Sequence, residues 1–204
     1  KVLYSTNGGD AGGGTYPVGQ ALGTVTSTGA TPLNGFTFSC TSTVSPVACT
    51  WTIPEVAGIV GNQIKLKVEQ VGDEANVKDE STSNLIVRGK LTVTAPTSTT
   101  TVWKVGDTTR AITWTSKGLT NAAIAYTKNN GTDGYVNVIT ASTSAAAGSY
   151  TWNPTGPPAG IPTSATSNAF KIRVKAADAA DSATENFSAL FSVVPKLTLT
   201  YPTG

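Results

Sequence analysis

The sequence has no histidine, only two cysteines, and charged residues at just 13% of its 204 positions. Without histidine, nucleophilic triads of the Ser-His-Asp and Cys-His kinds are excluded from this segment. A paired-carboxylate glycosidase needs two acids that face one cleft, whereas the closest carboxylate groupings here fall in predicted loops, at Asp73/Glu74, Asp79/Glu80 and Asp178/Asp181. We therefore predict that the segment is not an enzyme and holds no cofactor.

A strong charge of one sign and a long apolar run are also missing. The formal net charge is +2, which gives no electrostatic reason to expect a nucleic-acid partner or an anionic membrane surface. No apolar run approaches the ~20 residues that a membrane-spanning helix needs. The sequence shows no signal peptide, but it opens inside a predicted strand, so we expect it to be a segment of a longer chain whose leader lies upstream.

The two cysteines, Cys40 and Cys49, flank a stretch rich in Ser, Thr and Pro. This spacing favours a small hairpin closed by a disulfide over two free thiols, and a disulfide implies an oxidising, extracytoplasmic compartment. Zinc is disfavoured because two thiolates without histidine leave the site short of soft ligands. Asp178 and Asp181, with Glu185 nearby, could hold Ca²⁺, but a solvated turn is the favoured alternative, so we predict no metal site.

Hydrophobic residues make up 39% of the chain, enough for cores, and threonine and serine take many places that charged residues occupy in typical soluble domains. Threonine suits a half-wet strand surface and suits a helix interior poorly. The glycine-rich run 7–14 is not followed by Lys-Ser/Thr, so it predicts a hairpin loop and not a phosphate-binding loop. The composition indicates an all-β fold.

One short segment recurs. The sequence KLTVTAP at 90–96 returns as KLTLTYP at 196–202, an offset of 106 positions, close to the ~100 residues of one immunoglobulin-type sandwich domain. Such a recurrence marks a repeat boundary. We predict an Ig-like repeat over 1–89 that lacks its opening strands, a complete repeat over 90–195, and the opening strand of a following repeat over 196–204.

Further matches support this division. The paired segments are 2–9 with 124–131, 49–51 with 150–152, 64–68 with 170–174, and 85–87 with 191–193. In the complete repeat, alternation and turn signals predict about seven short strands, the last of them over 187–194. Segment 169–176 alternates most cleanly, with Phe170, Ile172 and Val174 predicted to face the core. The fold expectation is a tandem pair of Ig-like β-sandwich domains, the first one incomplete.

Four sequence elements carry a family resemblance: Trp103-Lys104-Val105-Gly106, Ile112-Thr113-Trp114, Ser149-Tyr150-Thr151-Trp152, and a closing strand with Phe191. Together they resemble the Ser/Thr-rich Ig-like repeat of large secreted and cell-surface microbial proteins, which is similar to the domain of yeast cell-wall glycan-assembly proteins. The acidic end that bacterial versions carry after the opening strand is absent, since 96–100 reads PTSTT. The resemblance implies an extracellular structural or adhesive role without catalytic residues.

Tryptophans, cations and sequons are the candidate contacts with carbohydrate. Trp51, Trp114 and Trp152 fall on predicted inward faces, which favours core packing, whereas Trp103 lies at a predicted turn and is the only candidate for an exposed ring that stacks on sugar. A stripe of cations is predicted to point outward; it comprises Lys171, Arg173 and Lys175, and Lys65 and Lys67 are the matching residues of the first repeat. The stripe could bind an acidic glycan or merely keep the strand soluble. Asn130 and Asn186 begin sequons and are candidate glycosylation sites, with ordinary surface polarity as the alternative.

Two functional hypotheses follow. The first is a structural segment of an extracellular repetitive surface protein (a filament, sheath, surface layer or adhesin stalk) whose partners are neighbouring copies or repeats. The second is a carbohydrate-binding module of a larger secreted enzyme, with cell-wall or surface polysaccharide as the partner. For the first, residues 196–204 of one copy could add a strand to the next; a covalent array is the favoured alternative, because the chain holds only one copy of the Trp103–Trp114 stretch.

Overall fold

The computed structural model describes residues 1–10, 12–17, 21–26, 29–32, 34, 36–40, 48–107, 109–152 and 167–196. Within these residues the regular elements are strands and short 3₁₀ turns at Ala57–Ile59 and Ala145–Ala147, so the all-β prediction is confirmed. They contain no helix with the length and hydropathy that a membrane crossing requires. The predicted opening strand of a further repeat lies outside the described residues, except for Lys196.

The chain divides into two compact units, Lys1–Arg88 and a second that begins at Gly89, one residue before the boundary that the repeat predicts. We call them unit 1 and unit 2. Gly89 itself is held firmly in unit 2, because its N–H donates to the Asp181 carboxylate at 2.8 Å and its carbonyl accepts the Thr184 hydroxyl at 3.2 Å.

Unit 1 has eight strands in its described part: β1 (Val2–Ser5), β2 (Ala21–Thr26), β3 (Gly29–Pro32), β4 (Phe38–Cys40), β5 (Cys49–Trp51), β6 (Gly61–Glu69), β7 (Lys78–Glu80) and β8 (Leu85–Val87). The main sheet has the order β3-β2-β1-β6-β7, and β8 pairs with the first half of β6. β4 and β5 form a separate antiparallel pair. The core lies on one face of the main sheet and contains Tyr4, Leu22, Phe38, Ile59, Ile64 and Val87.

The described part of unit 2 has nine strands: β9 (Lys90–Ala95), β10 (Val102–Lys104), β11 (Arg110–Lys117), β12 (Asn121–Thr127), β13 (Asn137–Ser144), β14 (Ser149–Trp152), β15 (Ser167–Ala176), β16 (Glu185–Phe187) and β17 (Phe191–Val194). One sheet has the order β10-β17-β15-β12-β13 with β16 beside β15, and the other has the order β14-β11-β9. The single strand predicted over 187–194 is therefore two strands, because β16 and β17 pair with different halves of β15.

Both sheets of unit 2 contribute to one core, which makes this unit β-sandwich-like. Ile112, Trp114 and Trp152 come from the smaller sheet and Ile124 from the larger. On β15 the predicted inward set, Phe170, Ile172 and Val174, is buried. Period-2 alternation places every second side chain of a strand on the same face, and the second sheet covers that face here.

The two units share their hydrogen-bonding register. β1 pairs with β6 through Tyr4 and Leu66, and β12 pairs with β15 through Tyr126 and Ile172. The turn that follows is also the same: the Ser5 hydroxyl accepts the Asn7 and Gly9 N–H groups at 3.3 and 3.1 Å. In unit 2 the Thr127 hydroxyl accepts the corresponding two N–H groups at 3.2 and 3.1 Å.

The units differ in the strands that face this shared framework. In unit 2, β9, β10 and β11 precede β12, whereas β1, which matches β12, is the first strand of unit 1. β4 pairs with β5 as β11 pairs with β14, so that Cys40 and Cys49 occupy the register positions of Ile112 and Tyr150. The described part of unit 1 contains no strand in the positions of β9 and β10.

Candidate functional site

Trp103, the predicted exposed sugar contact, is buried with 4% of its surface accessible, so this prediction is wrong. β10 pairs in parallel with β17, and the pairing turns the indole into the core of unit 2. Its ring lies 4.7 Å from that of Phe191 and 6.0 Å from that of Trp152. The turn that suggested exposure begins only after Lys104, where the Asp107 N–H donates to the Lys104 carbonyl at 3.0 Å.

The other tryptophans have structural positions too. Trp114 and Trp152 are buried in the core of unit 2, as predicted. Trp51 is half-buried against the core of unit 1, where it stacks on Tyr4 at 5.0 Å. Trp152 makes the matching contact with Tyr126 at 5.1 Å. The tryptophans therefore belong to the cores and do not form a sugar-stacking platform.

The predicted disulfide between Cys40 and Cys49 is confirmed. The two cysteines are register partners on β4 and β5, which places their side chains on the same face and makes a bridge geometrically accessible. It joins the two ends of the intervening stretch, of which residues 41–47 lie outside the described part of the chain.

The two sequons have different surroundings. Asn130 is exposed in the turn after β12, with a left-handed φ of 58°. Asn186 is half-buried in β16, and its side-chain oxygen accepts the Val93 N–H at 2.9 Å. The hydroxyl of Ser188, the third residue of that sequon, is buried and accepts the Ile172 N–H at 2.9 Å. Glycosylation stays a prediction, and Asn130 is the sequon that the fold leaves accessible.

Two of the carboxylates considered for Ca²⁺, Asp178 and Asp181, bind backbone amides instead, and the third, Glu185, lies 3.7 Å from the Arg173 guanidinium. Asp178 accepts the N–H groups of Thr120 and Asn121 at 2.8 and 3.2 Å. Asp181 accepts those of Gly89 and Thr184 at 2.8 and 3.2 Å. Asp181 is also buried, so the expected solvated turn is wrong for this residue. No group of three potential metal ligands occurs in the described residues.

On the outer face of unit 2, two predicted stripe cations stand over aromatic rings. The Lys171 ammonium is 5.4 Å from the ring centre of Phe187, and the Arg173 guanidinium is 5.1 Å from that of Tyr135. The two rings are 5.2 Å apart. Sequence reasoning missed this patch, although Phe187 stood out as a large apolar residue between polar neighbours. We call these four residues the aromatic–cation patch.

The corresponding face of unit 1 is covered, which corrects the prediction of an outward lysine stripe. Lys65 has only 7% of its surface accessible; its ammonium donates to the Ser81 and Thr82 carbonyls at 2.5 and 3.0 Å and lies 3.6 Å from a Glu80 carboxylate oxygen. The Lys67 ammonium is 4.3 Å from the ring centre of Tyr16.

The glycine-rich loop provides this cover. The Gly8 N–H donates to the Gln63 carbonyl at 2.9 Å, and the Asp10 N–H donates to Glu80 at 2.9 Å. Gly9 has a φ of 65°, and a Cβ there would come within 2.6 Å of both the Tyr16 hydroxyl and a Glu80 oxygen. A glycine is therefore required for the loop to approach β7 this closely.

Buried charges on this face are paired. Glu69 lies 2.7 Å from the Lys1 ammonium and 3.4 Å from that of Lys67. Burial by itself would raise the pKa of Glu69, but hydrogen bonding and attraction from the two lysines outweigh it and lower that pKa. Burial raises the pKa of Tyr16, and the nearby Glu80 carboxylate raises it further. The face is a structural ion-pair network whose charges already have partners.

The inner face of unit 1 has an open apolar groove of about 720 Å³. Its apolar lining consists of Val2, Val25, Val68, Val71 and Val77; we call it the unit 1 groove. Val68 is 56% exposed, whereas Val174, at the same register position of unit 2, is fully buried at 0%. Contiguous apolar surface that stays exposed on a folded domain marks an interaction site. The groove is the candidate site of this chain.

A second uncovered position lies at β8. Leu85 pairs with Ile64 as Phe191 pairs with Phe170, yet Leu85 is 41% exposed and Phe191 is 1% exposed. Trp103 of β10 covers Phe191, and no described strand of unit 1 takes that place. The exposed apolar surface of unit 1 therefore lies where the residues that the structure describes include no counterparts to β9 and β10.

Comparison with known proteins supplies no relative from which a function could be transferred. No family model matches the chain, and neither a curated protein nor a solved structure is significantly similar to it.

Proposed function

We propose that the chain is a non-catalytic structural segment of an extracellular repetitive surface protein built from tandem Ig-like modules. The observation that carries this proposal is the shared register of the two units. β6 pairs with β8 through Ile64 and Leu85, and β15 pairs with β17 through Phe170 and Phe191, with a register shift at the same place. Consecutive units that repeat one strand framework are typical of a tandem array of modules.

The extracellular part of the proposal is supported by the disulfide between Cys40 and Cys49. Disulfides persist in oxidising compartments and are rare where thiols are kept reduced. The structural part is supported by the way polar groups are used: Asp178 and Asp181 bind backbone amides, and Lys65 and Glu69 are paired within unit 1. Buried polar groups that are satisfied in this way stabilise a fold.

Labelling of intact cells of the source organism tests this proposal. An antibody raised against the chain should label unpermeabilised cells, and external protease should remove the label, while an antibody against a cytoplasmic protein gives no signal. The intact mass of the natural material then reports the number of modules and the attached glycans. Labelling that appears only after permeabilisation contradicts the proposal.

A second candidate function is carbohydrate binding, and the aromatic–cation patch favours it. Aromatic faces stack on sugar rings, and Lys171 and Arg173 stand beside the two rings. Retention on acidic polysaccharide beads should fall when Tyr135 and Phe187 are both replaced by Ala. Val138→Ala, an exposed position on β13, is the matched control. Equal retention of the two variants excludes this patch as a binding site.

A further inference from the structure

We propose that the unit 1 groove binds residues 196–202 of a second copy of this chain as an added strand. This inference rests on the proposed structural function and names the contact through which copies would join. Val68, Val71 and Val77 are exposed in the groove, and no strand of the described part of unit 1 covers them.

Unit 2 shows what covers the same surface when it is complete. There β9 lies against β15 and β16, with Leu91 and Val93 buried in the core that contains Val174. The Val93 N–H donates to the side-chain oxygen of Asn186 at 2.9 Å. Asn186 is the register partner of Val174. β9, which pairs with β11 along one edge, is therefore tied to β15 and β16 by one hydrogen bond and two apolar side chains.

Unit 1 has counterparts to the two residues, Val174 and Asn186, that β9 contacts in unit 2. Val68 occupies the position of Val174, and its register partner on β7 is Asp79, at the position of Asn186. Asp79 lines the groove and is exposed. One of its oxygens accepts the Glu80 N–H at 2.9 Å, and a carboxylate has capacity for further donors. An acceptor therefore stands where a bound strand would present an N–H group.

The sequence contains a second copy of the covering strand. Residues 196–202 read KLTLTYP, which repeats KLTVTAP of 90–96. Leu197 and Leu199 take the places of Leu91 and Val93, the side chains that are buried in unit 2. Thr198 and Thr200 take the places of Thr92 and Thr94, which are exposed. The occupant has the alternation that the groove requires, with apolar side chains on one face and threonine on the other.

Sedimentation of the full chain over a range of concentrations tests the proposal, with variants on both sides of the contact. Val68→Asp and Val77→Asp place a charge in the groove, and Leu199→Asp places one on the apolar face of the added strand. Each should weaken self-association by at least about tenfold, because a carboxylate would lose its hydration in an apolar site. Thr198→Asp, on the opposite face of that strand, and Val136→Asp, an exposed valine of unit 2, are controls that should associate as the unmodified chain does.

The most specific test is to mix the groove variant with the strand variant. Val68→Asp retains a working strand and Leu199→Asp retains a working groove, so the two variants should be monomeric separately and form one-to-one pairs together. Circular dichroism of each variant should match that of the unmodified chain, since Val68 and Val77 are exposed. Failure of the mixture to pair, or association that Leu199→Asp leaves unchanged, overturns the proposal.

A cysteine pair distinguishes between occupants of the groove. In a chain with Val68→Cys and Leu199→Cys, oxidation should yield covalent multimers. A bridge within one chain shows that the segment folds onto its own unit and overturns donation. A chain that stays monomeric at every concentration also overturns it and indicates that other residues of a longer protein fill the groove. Surface labelling of cells is independent of all these results, so the proposed function can stand or fall separately.

Discussion

Val68 of unit 1 and Val174 of unit 2 occupy the same position in the same strand pairing, yet one is 56% exposed and the other is fully buried. The backbone framework around them is shared, including the hydroxyl-capped turns after β1 and β12. The difference lies in β9, which covers Val174 and has no described counterpart over Val68. The alternation of a strand thus identifies its apolar face, but that face is buried only if another strand packs against it.

On the outer faces the comparison is reversed: the face of unit 1 is covered and that of unit 2 is accessible. In unit 1 Lys65 is paired with Glu80 and Lys67 with Glu69, and Tyr16 of the glycine-rich loop lies against Lys67. At the position of Glu80, unit 2 has Phe187, whose ring lies beside Tyr135. One framework therefore carries a buried ion-pair network in one unit and an accessible aromatic–cation patch in the other. The surface chemistry of the two units therefore differs although their strand pairing is shared.

The largest effect should come from a charge placed at the paired valines. Val174→Asp should prevent unit 2 from folding, because an unpaired carboxylate in a closed core costs more than about 4 kcal/mol. Val68→Asp should change the free energy of unfolding of unit 1 by less than about 0.5 kcal/mol in the monomeric chain, since the site is open to water. Hydrogen exchange measured by mass spectrometry reports each unit separately. Equal loss of protection in the two units contradicts the comparison.

The paired tryptophans give the next largest effect. Trp152→Ala should destabilise unit 2 by about 3–5 kcal/mol, the range for removal of a buried aromatic side chain. Trp51→Ala should cost unit 1 less, because Trp51 is half-buried where Trp152 is buried. Urea unfolding of the two variants, followed by far-ultraviolet circular dichroism, measures the difference. A larger loss for Trp51→Ala would show that burial is not what distinguishes the two positions.

The disulfide affects one unit only. Replacing Cys40 and Cys49 together by Ser should lower the free energy of unfolding of unit 1 by about 2–3 kcal/mol, as expected when a short closed loop is released in the unfolded chain. Unit 2 has Ile112 and Tyr150 at these register positions and should be unaffected. Hydrogen exchange of the double variant against the parent chain checks both statements, and a loss of protection in unit 2 argues against independent units.

The smallest effect is the pH dependence that Glu69 gives to unit 1. The pKa of Glu69 is lowered from its ordinary value of 4.5 in the folded chain, so its ion pairs contribute stability above the ordinary pKa and lose it as the pH falls through the lowered one. Unit 2 has Lys175 at this position. Glu69→Gln should therefore remove part of the acid sensitivity of unit 1 in thermal unfolding between neutral and acidic pH. Identical pH profiles for variant and parent would contradict it.

Local patterns accounted for much of the fold. The strand alternation of β15 and the disulfide could both be read from residues close together in the chain. Each depends on period-2 alternation or on short spacing, and both act over a few residues. The same logic placed Trp103 at an exposed turn and Lys65 on a solvated face, and both placements were wrong.

Those two failures have one cause. Trp103 is buried because β10 pairs with β17, about ninety positions away in the chain. Lys65 is buried because Glu80, Ser81 and Thr82, about sixteen positions further along the chain, lie against its ammonium. Alternation assigns a side chain to one of the two faces of a strand and carries no information about what lies over that face. Strand composition, turns and the cysteine pair therefore followed from the amino-acid order. The coverage of each sheet face, and with it the open groove in unit 1, was decided by long-range packing.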